Sequence, residues 1–482
     1  MLSLIYPTSH TNMAANTCPV LTIPETQRDR YDHLTQTFID RFGHPPAFFG
    51  RAPGRVNIIG EHIDYCGYGV LPMAIEQDVI IAVSHEQTSN KIIVTNANPA
   101  FSDFECDKGD IQLNKTCPEW YNYFLCGVLG VFENQNVPCK DRQGMRCVVS
   151  GTVPTSAGLS SSSALVCCSA LVTTHANKLV IPKDALVDLS ADCENFLATA
   201  TEGGNMDQAI AITAEQGLAQ LIEFSPLRLT PVKLPPEVVF VITHSCTEIH
   251  KGATACFNIR VVECKIAAQV IAKIKGLDWR TITTLRDLQE KLALNLTEMV
   301  TLTKDLLHPG IYTKQEVCEV LEIREEDLVK TSLIAFTENE NQFCLQDRAV
   351  HVFSEANRVY QFKHACETAH HNSASLQQMG DLMSASHSSC HQLFDCSNEQ
   401  LNTLVKTCMM SGALGSRLTG AGWGGCVVSM VPTNQVETFL LKVKDEYYAN
   451  DPIRSGKMES SVFITRPSGG AAIYTSGIAS QV

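Results

Sequence analysis

The chain has 482 residues, of which 44 % are hydrophobic and 18 % charged, so it carries enough apolar side chains for ordinary globular cores. This length exceeds the roughly 250 to 300 residues at which a single core stops growing, and we expect two domains. A formal charge of −14 argues against a nucleic acid or an anionic membrane as the main partner.

The ends and the cysteines indicate a compartment. The first residues lack a basic segment followed by an apolar core, and no apolar window of about 18 residues occurs, so neither a signal peptide nor a membrane span is predicted. The 20 cysteines include adjacent Cys167 and Cys168 in an apolar run and no C-x-x-C pair. We expect reduced thiols in a cytoplasmic monomer.

Apolar periodicity and turn residues divide the chain into a mixed first half and a helix-rich second half. After a flexible extension over 1–24, the first half is predicted to contain a helix at 25–42, strands at 70–84 and 91–95, a helix at 120–132, a strand at 145–150, helices at 164–177 and 183–198, and elements at 209–214 and 217–224. Prolines at 231–236 indicate a domain joint. The second half is predicted to contain a strand at 238–243, helices at 254–274, 288–307, 314–330, 348–366, 375–394 and 401–411, and a strand at 426–431.

Ionisable side chains converge in the turn-rich segment 51–65, among valines and isoleucines. They are Arg55, Glu61, His62 and Asp64. Carboxylates, an imidazole and a guanidinium at fixed angles are typical of a site for a polyhydroxylated ligand. The alternative is a buried ion network whose members satisfy one another.

A glycine- and serine-rich loop joins the strand at 145–150 to the next helix. Gly158 allows a close backbone approach, and Ser160, Ser161 and Ser162 begin the helix. Free backbone N–H groups and the helix dipole make such an N-terminus an anion site. The alternative is a serine-rich N-cap of a buried helix.

A second glycine loop, 420–425, satisfies the G-x-G-x-x-G pattern of dinucleotide-binding enzymes. Such a fingerprint opens a helix, whereas a predicted strand follows here. We therefore interpret the loop as a close-packing turn, with a role at the substrates or in the structure alone.

An acidic residue, Asp207, follows the glycines at 203–204. Carboxylates at such positions are often helix N-caps. Beside the guanidinium of Arg55, however, an aspartate stays ionised and can accept a proton from an attacking hydroxyl. Trp120 and Tyr123 could flank an adenine, although an aromatic helix face is more often core.

Three segments together resemble one family, the GHMP small-molecule kinases, and within it the galactokinases. The segments are 55–65, 158–164 and 418–425, and the similarity extends from about Phe42 to Pro467. The residues in four segments are most similar to those of the N-acetylgalactosamine kinase branch. The segments are 61–67, 201–204, 221–228 and 257–260. The resemblance implies an α+β fold of two domains, an N-terminal α/β domain at 25–235 and a C-terminal α+β domain at 236–482, whose last segment could cross back to the first domain.

The resemblance also implies roles for individual residues. Asp207 would be the catalytic base, with Arg55 beside it, and ATP and Mg²⁺ would be needed. The implied sugar ligands are Arg55, Glu61, His62, Asp64, Asp207, His250 and Phe257. The implied ATP phosphate ligands are Gly158, Ser160, Ser161 and Ser162. The implied Mg²⁺ ligands are Ser162 and Glu194.

Two parts of the chain depart from the family pattern. The stretch 197–201 carries two extra residues, so either this loop bulges or Glu194 is displaced from the metal. His250 replaces the asparagine of the N-acetylgalactosamine kinase branch, and Phe257 replaces the tyrosine of plain galactokinases. Phe257 favours an amino sugar, because it removes a hydroxyl and opens room.

The sequence thus predicts ATP-dependent phosphorylation of the anomeric hydroxyl of N-acetylgalactosamine, galactose, or both. Its partners would be a small sugar and ATP, without nucleic acid or membrane. The rivals are galactokinase proper, a non-catalytic sensor of galactose and ATP, and, more remotely, a dinucleotide-dependent oxidoreductase. The intact serine loop, Asp207 and Arg55 favour an active kinase over a sensor.

Overall fold

The computed structural model describes residues 16–114, 118–195, 204–224, 226–247, 252–334, 336–368 and 372–475. The helices α1 to α15, in chain order, are Arg28–Phe42, Trp120–Asn134, Ser161–Ala176, Lys183–Asn195, Met206–Thr213, Gly252–Ile274, Leu285–Leu292, Leu296–Leu306, Lys314–Leu321, Glu325–Thr331, Leu345–Thr368, Ser373–Gln392, Glu399–Ser411, Val436–Val443 and Pro452–Ser461. The strands β1 to β15 are Val20–Thr22, Phe48–Ile59, Leu71–Glu86, Lys91–Asn96, Phe104–Asp107, Gly144–Gly151, Ala219–Phe224, Leu227–Val232, Val238–His244, Tyr312–Thr313, Gln342–Phe343, Gly415–Thr419, Cys426–Pro432, Val462–Thr465 and Ala472–Thr475.

The largest sheet has seven strands in the order β1-β15-β2-β3-β6-β4-β5. The last strand of the chain, β15, lies between β1 and β2, so the C-terminal segment does cross back to the first sheet. The prediction of a flexible extension over 1–24 is wrong at Val20–Thr22. This segment forms β1, because β15 offers it a parallel partner.

A second sheet has the order β12-β13-β9-β14 and is built from the second half of the chain. Its first strand in the sequence, β9, begins at Val238, directly after the proline-rich stretch. The boundary at 235 between two domains stays a prediction. In the described part of the chain, no helix is both long enough and apolar enough to cross a membrane.

Two predicted long helices are each divided in the structure. The helix expected at 288–307 is α7 and α8, because Ala293 adopts a left-handed φ of 52° and the Asn295 side chain caps α8. The acidic helix expected at 314–330 is α9 and α10, which separate at Glu322 with φ 56°. Capping residues inside the apolar pattern therefore decided the boundaries.

The segment 51–65 was expected to be rich in turns, and this is wrong over its first part. Strand β2 runs from Phe48 to Ile59, and all of its residues are buried. It pairs with β3 on one side and β15 on the other, while α3 packs on its face. The polar side chains of this strand thus project from the centre of the molecule.

Candidate active site

A bidentate ion pair joins strand β2 to the first turn of α5. Arg55 Nε donates to Asp207 Oδ1 at 2.7 Å, and Nη2 donates to Oδ2 at 3.1 Å. The remaining guanidinium nitrogen, Nη1, donates to the carbonyl of Gly158 at 2.6 Å. One arginine therefore fixes the candidate base and the serine loop together.

The serine loop does not have the predicted alternative role of a helix cap. Ser160 lies immediately before α3 with a left-handed φ of 57°, and its side chain makes no capping hydrogen bond. Its hydroxyl instead donates to Asp207 Oδ2. The first N–H groups of α3 thus lack a Ser160 cap, and Ser161 and Ser162 line an open cavity.

The carboxylate of Glu194 lies beside the start of α3. Ser162 and Ser163 hydrogen-bond it, and Gln208 Nε2 donates to its Oε2 at 2.8 Å. Burial raises the pKa of Glu194, with a further contribution from Asp207. Residues 196–203, which contain the two extra positions, lie outside the described part of the chain, but Glu194 on one side still meets Gln208 on the other.

This oxygen-rich corner fits a magnesium ion. Among the described residues, Gln208 Oε1 is buried without a hydrogen-bond partner, next to the Glu194 carboxylate. Groups of three or more His, Cys, Asp or Glu that could hold a metal do not occur within the described ranges. Mg²⁺ does not require such a group, since it is commonly held by one or two carboxylates together with substrate phosphates.

Glu61 is part of a buried network, as the alternative interpretation of this segment proposed. Asn57 Nδ2 donates to Glu61 Oε2 at 2.6 Å, and the N–H of Gly420 donates to Oε1 at 2.6 Å. Arg417, fully buried in β12, lies 3.5 Å from Oε1. Burial raises the pKa of Glu61. Direct contact of this carboxylate with a sugar stays a prediction.

His62 also has internal partners on both ring nitrogens. Its Nε2 lies 2.9 Å from the carbonyl of Ala421, so it carries the proton, and Nδ1 accepts from the Tyr65 hydroxyl at 3.0 Å. Burial lowers the pKa of His62 to about 3, which keeps the ring neutral. The ring stacks on Phe394 at 4.7 Å. Its predicted role as a sugar ligand stays a prediction.

The carboxylate of Asp64 is held by backbone N–H groups, including its own. It accepts a hydrogen bond from the backbone of Tyr65, and burial together with Asp207 raises its pKa to about 6. A Cβ on Gly204 would lie 2.4 Å from Asp64 Oδ2. The glycine thus lets the chain before Asp207 pass directly over this carboxylate.

The second glycine loop connects β12 to β13 in an antiparallel hairpin, which excludes the strand-to-helix geometry of a dinucleotide-binding fingerprint. Its glycines instead pack backbone to backbone against the serine loop. A Cβ on Gly420 would lie 2.6 Å from the carbonyl of Gly158, and one on Gly425 would lie 2.7 Å from that of Ala157. The interpretation as a close-packing turn is consistent with this geometry.

Gly420→Ala is expected to lower the free energy of unfolding by at least about 2 kcal/mol, because Gly420 has a φ of +83° and no room for a Cβ. Denaturant unfolding measures the loss. Gly217→Ala is a matched control, since Gly217 has a φ of +84° but nothing within 4 Å of the added Cβ. An equal loss in both variants would show that the close approach to Gly158 contributes nothing.

A cavity of about 510 Å³ extends from the ion pair across the first sheet. Arg55 and Asp207 line it together with Gly158 and the serines. It is also lined by Asn96, Asn98, Phe101, Trp120 and Tyr123. Its size and mixed lining suit a small organic ligand with an anionic end. The sequence indicated Trp120 and Tyr123 but missed Asn96, Asn98 and Phe101, which carry no motif.

Phe257 and His250 were predicted to lie near the ligand. The Phe257 ring centroid is 5.4 Å from that of His62 and 5.4 Å from that of Tyr65, so it belongs to the aromatic wall beside the 61–65 turn. His250 lies outside the described residues, and its role stays a prediction.

Family models match three parts of the chain. Residues 36–85 match the galactokinase galactose-binding signature, 122–215 the N-terminal domain of GHMP kinases, and 368–449 the C-terminal domain. The first covers β2 and the turn after it, and the second covers the serine loop and Asp207.

Several known proteins are similar to this one along nearly the whole chain. A galactokinase of Dictyostelium discoideum is 40 % identical, covering 94 % of this chain and 96 % of that protein. A galactokinase of Saccharomyces cerevisiae is 30 % identical with the same coverage, 94 % and 96 %. The structure of Lactococcus lactis galactokinase complexed with galactose has the same fold, with a TM-score of 0.70 and 22 % identity over 92 % of this chain and 99 % of that one. The chain therefore belongs to the galactokinase subfamily of the GHMP kinases and is a sugar kinase, a phosphotransferase with an alcohol group as acceptor.

Proposed function

We propose that this protein transfers the γ-phosphoryl group of ATP to the anomeric hydroxyl of galactose. The observation that carries the proposal is the Arg55–Asp207–Ser160 cluster, which places a carboxylate at the end of a nucleotide-sized cavity. The names of the relatives favour galactose over the amino sugar expected from the sequence.

Asp207 accepts the proton of the sugar O1 as that oxygen forms its bond to the γ-phosphorus, while the bond from the γ-phosphorus to the bridging oxygen of ADP breaks. Phosphoryl transfer asks little covalent chemistry of the protein, so positioning and neutralisation of charge govern the rate. Arg55 orients Asp207 through two parallel hydrogen bonds and places positive charge near the transferred group. The uncapped N–H groups of α3 face the phosphates.

Ser162 and Glu194 would hold Mg²⁺, and their oxygen atoms suit this hard cation. When bound, the ion neutralises charge on the departing diphosphate. Gln208 would keep Glu194 oriented toward it through the 2.8 Å hydrogen bond.

The adenine would lie between Trp120 and the asparagines at the end of β4, which line the same cavity as Asp207. Trp120 is itself fixed, because its Nε1 donates to the carbonyl of Ser102 at 2.9 Å. A rigid aromatic edge there favours a flat base over a flexible ligand.

The proposal is tested by measuring ADP release with galactose and with N-acetylgalactosamine side by side. We expect turnover with galactose, and kcat/KM for the two sugars ranks them. Tight binding of ATP and galactose without ADP release would contradict the proposal and favour a sensor.

N-acetylgalactosamine is the second candidate, because Phe257 carries no hydroxyl where it meets Tyr65 and His62. Phe257→Tyr is expected to lower kcat/KM for N-acetylgalactosamine relative to galactose by about tenfold or more, since an added hydroxyl crowds the acetamido group. Phe336→Tyr, at a ring that is 61 % exposed, serves as the control. An unchanged ratio of kcat/KM would remove Phe257 from sugar selection.

Asp64→Asn is expected to weaken sugar binding by about 10- to 100-fold, because a charged acceptor for sugar hydroxyls is lost. The same change should stabilise the fold at pH 7 by about 2 kcal/mol. The reason is that the folded pKa of Asp64 is about 6, above its ordinary 3.8, so ionisation costs stability.

This gain has a definite pH window. Below the unfolded pKa the carboxyl is protonated in both states, and the advantage of asparagine vanishes; it grows as pH rises from about 3.8 to about 6 and is constant above that. Unfolding measured at pH 4 and pH 7 checks this, while KM for the sugar should rise in the wild type below pH 6 and stay flat in Asp64→Asn. A variant less stable than wild type at pH 7 contradicts the prediction.

A further inference from the structure

Two side chains on one face of helix α11 hydrogen-bond to the backbone of the turn that carries the predicted sugar ligands. His351 Nε2 lies 3.1 Å from the carbonyl of Glu61, and Glu355 Oε1 accepts the N–H of Gly60 at 2.9 Å. His351 and Glu355 are fully buried and one helical turn apart. A turn further on, Val359 Cγ2 would lie 2.9 Å from a Cβ on Gly60.

The backbone of this turn adopts dihedral angles that are unfavourable without support from neighbouring residues. Gly60 has a φ of 110° and His62 a φ of 62°, so two of three consecutive residues occupy the left-handed region. Non-glycine residues persist there only when their surroundings over-determine them. The contacts from α11 supply that constraint from the second half of the chain.

Further side chains fix the orientation of His351 and Glu355. Glu355 Oε1 accepts the Ser386 hydroxyl at 2.6 Å, and its Oε2 accepts Arg358 Nε at 2.7 Å. Ser389 donates to His351 Nδ1 at 2.8 Å, which leaves the proton on Nε2 for the Glu61 carbonyl. The titratable and charged groups facing this pair are Arg358, Arg417 and His62, contributed by α11, β12 and the 60–62 turn.

We propose that His351 and Glu355 are positioning residues of the sugar site, which act through the backbone of Gly60 and Glu61 rather than by touching the substrate. The proposal rests on the proposed function, since it assigns the 60–64 turn to the acceptor sugar. The proposal predicts different effects on sugar binding and on ATP binding, because neither residue lines the ATP-sized cavity. Loss of these two hydrogen bonds should therefore weaken sugar binding and leave nucleotide binding unchanged.

Glu355→Gln and His351→Phe test this by steady-state kinetics. Each is expected to raise KM for galactose by about tenfold or more, with KM for ATP within about twofold and kcat at saturating sugar within about threefold of wild type. Glu367→Gln is the control, since this exposed carboxylate near the end of the same helix pairs only with Lys363 in the described contacts.

A purely structural role would lower Tm and the active fraction while leaving both KM values unchanged, and that result would overturn the proposal. A parallel rise in KM for ATP would also overturn it. If Glu355→Gln does not fold, His351→Phe decides, because it removes a neutral donor and leaves every charge of the cluster in place. If neither variant folds, the helix face serves stability alone and the proposal fails.

Binding keeps this test distinct from the proposed function. Wild-type protein that releases no ADP with either sugar contradicts the proposed function. The shift in Tm that galactose causes still measures sugar binding in that case. We expect a smaller shift in the two variants than in wild type or Glu367→Gln. An equal shift in all four proteins would overturn the positioning role.

Discussion

Replacing Asp207 by asparagine is expected to lower kcat by about 10² to 10⁴ and to leave affinity for the sugar nearly unchanged. Asparagine keeps the size of the side chain but cannot accept the proton of the sugar O1. One carboxylate oxygen also becomes an NH₂ group that faces a donor of Arg55, so the bidentate pair at 2.7 and 3.1 Å is broken. Steady-state kinetics give kcat, and calorimetry gives the Kd for galactose.

The matched control for this change is Asp381→Asn, on the exposed side of α12, where the carboxylate accepts only from Gln377 at 2.9 Å in the described contacts. We expect wild-type kcat from it. An unchanged kcat in Asp207→Asn would remove Asp207 from the reaction and leave the ion pair with Arg55 as a structural feature.

Local patterns predicted much of the secondary structure, because burial on one face leaves a periodic trace. The strand β6, the serine loop and the apolar start of α3 were all predictable from neighbouring residues. So was the strand that follows the glycine loop 420–425, in place of the helix that a dinucleotide-binding fingerprint opens. In each case the deciding interaction lies within about a dozen residues.

The partners of the polar site residues were not predictable in the same way. Glu61 meets Arg417 and Gly420 from the far end of the chain, and its sequence neighbours reveal neither contact. Strand β2 was missed for the same reason. Its arginines and asparagine interrupt the apolar pattern, and only the distant partners make their burial possible.

The serine loop illustrates a third limit of local reasoning. A serine before a helix ordinarily caps it, and the run of four serines at the start of α3 made that interpretation reasonable. The left-handed φ of Ser160 turns its hydroxyl toward Asp207 instead. The choice depends on where α5 lies, and no residue near Ser160 in the sequence reveals it.

Replacing Arg55 tests whether the guanidinium acts by its charge or by its shape. Arg55→Ala is expected to lower kcat/KM by about 10² to 10⁴, because the orientation of Asp207 and the contact with the Gly158 carbonyl are both lost. It should also lower the free energy of unfolding by about 1 to 3 kcal/mol, since the Asp207 carboxylate loses its ion-pair partner while only 25 % of its side chain is exposed.

Two further variants separate the possible causes. Arg55→Lys keeps the charge but cannot make the two parallel hydrogen bonds, so it should recover at most about a tenth of the lost activity if orientation dominates. Arg55→Ala combined with Asp207→Asn should regain stability over Arg55→Ala alone, because no unpaired carboxylate remains, yet stay inactive. Near-complete recovery of turnover in Arg55→Lys would instead show that a positive charge at this position suffices, and the two-point contact with Asp207 would lose its role in the reaction.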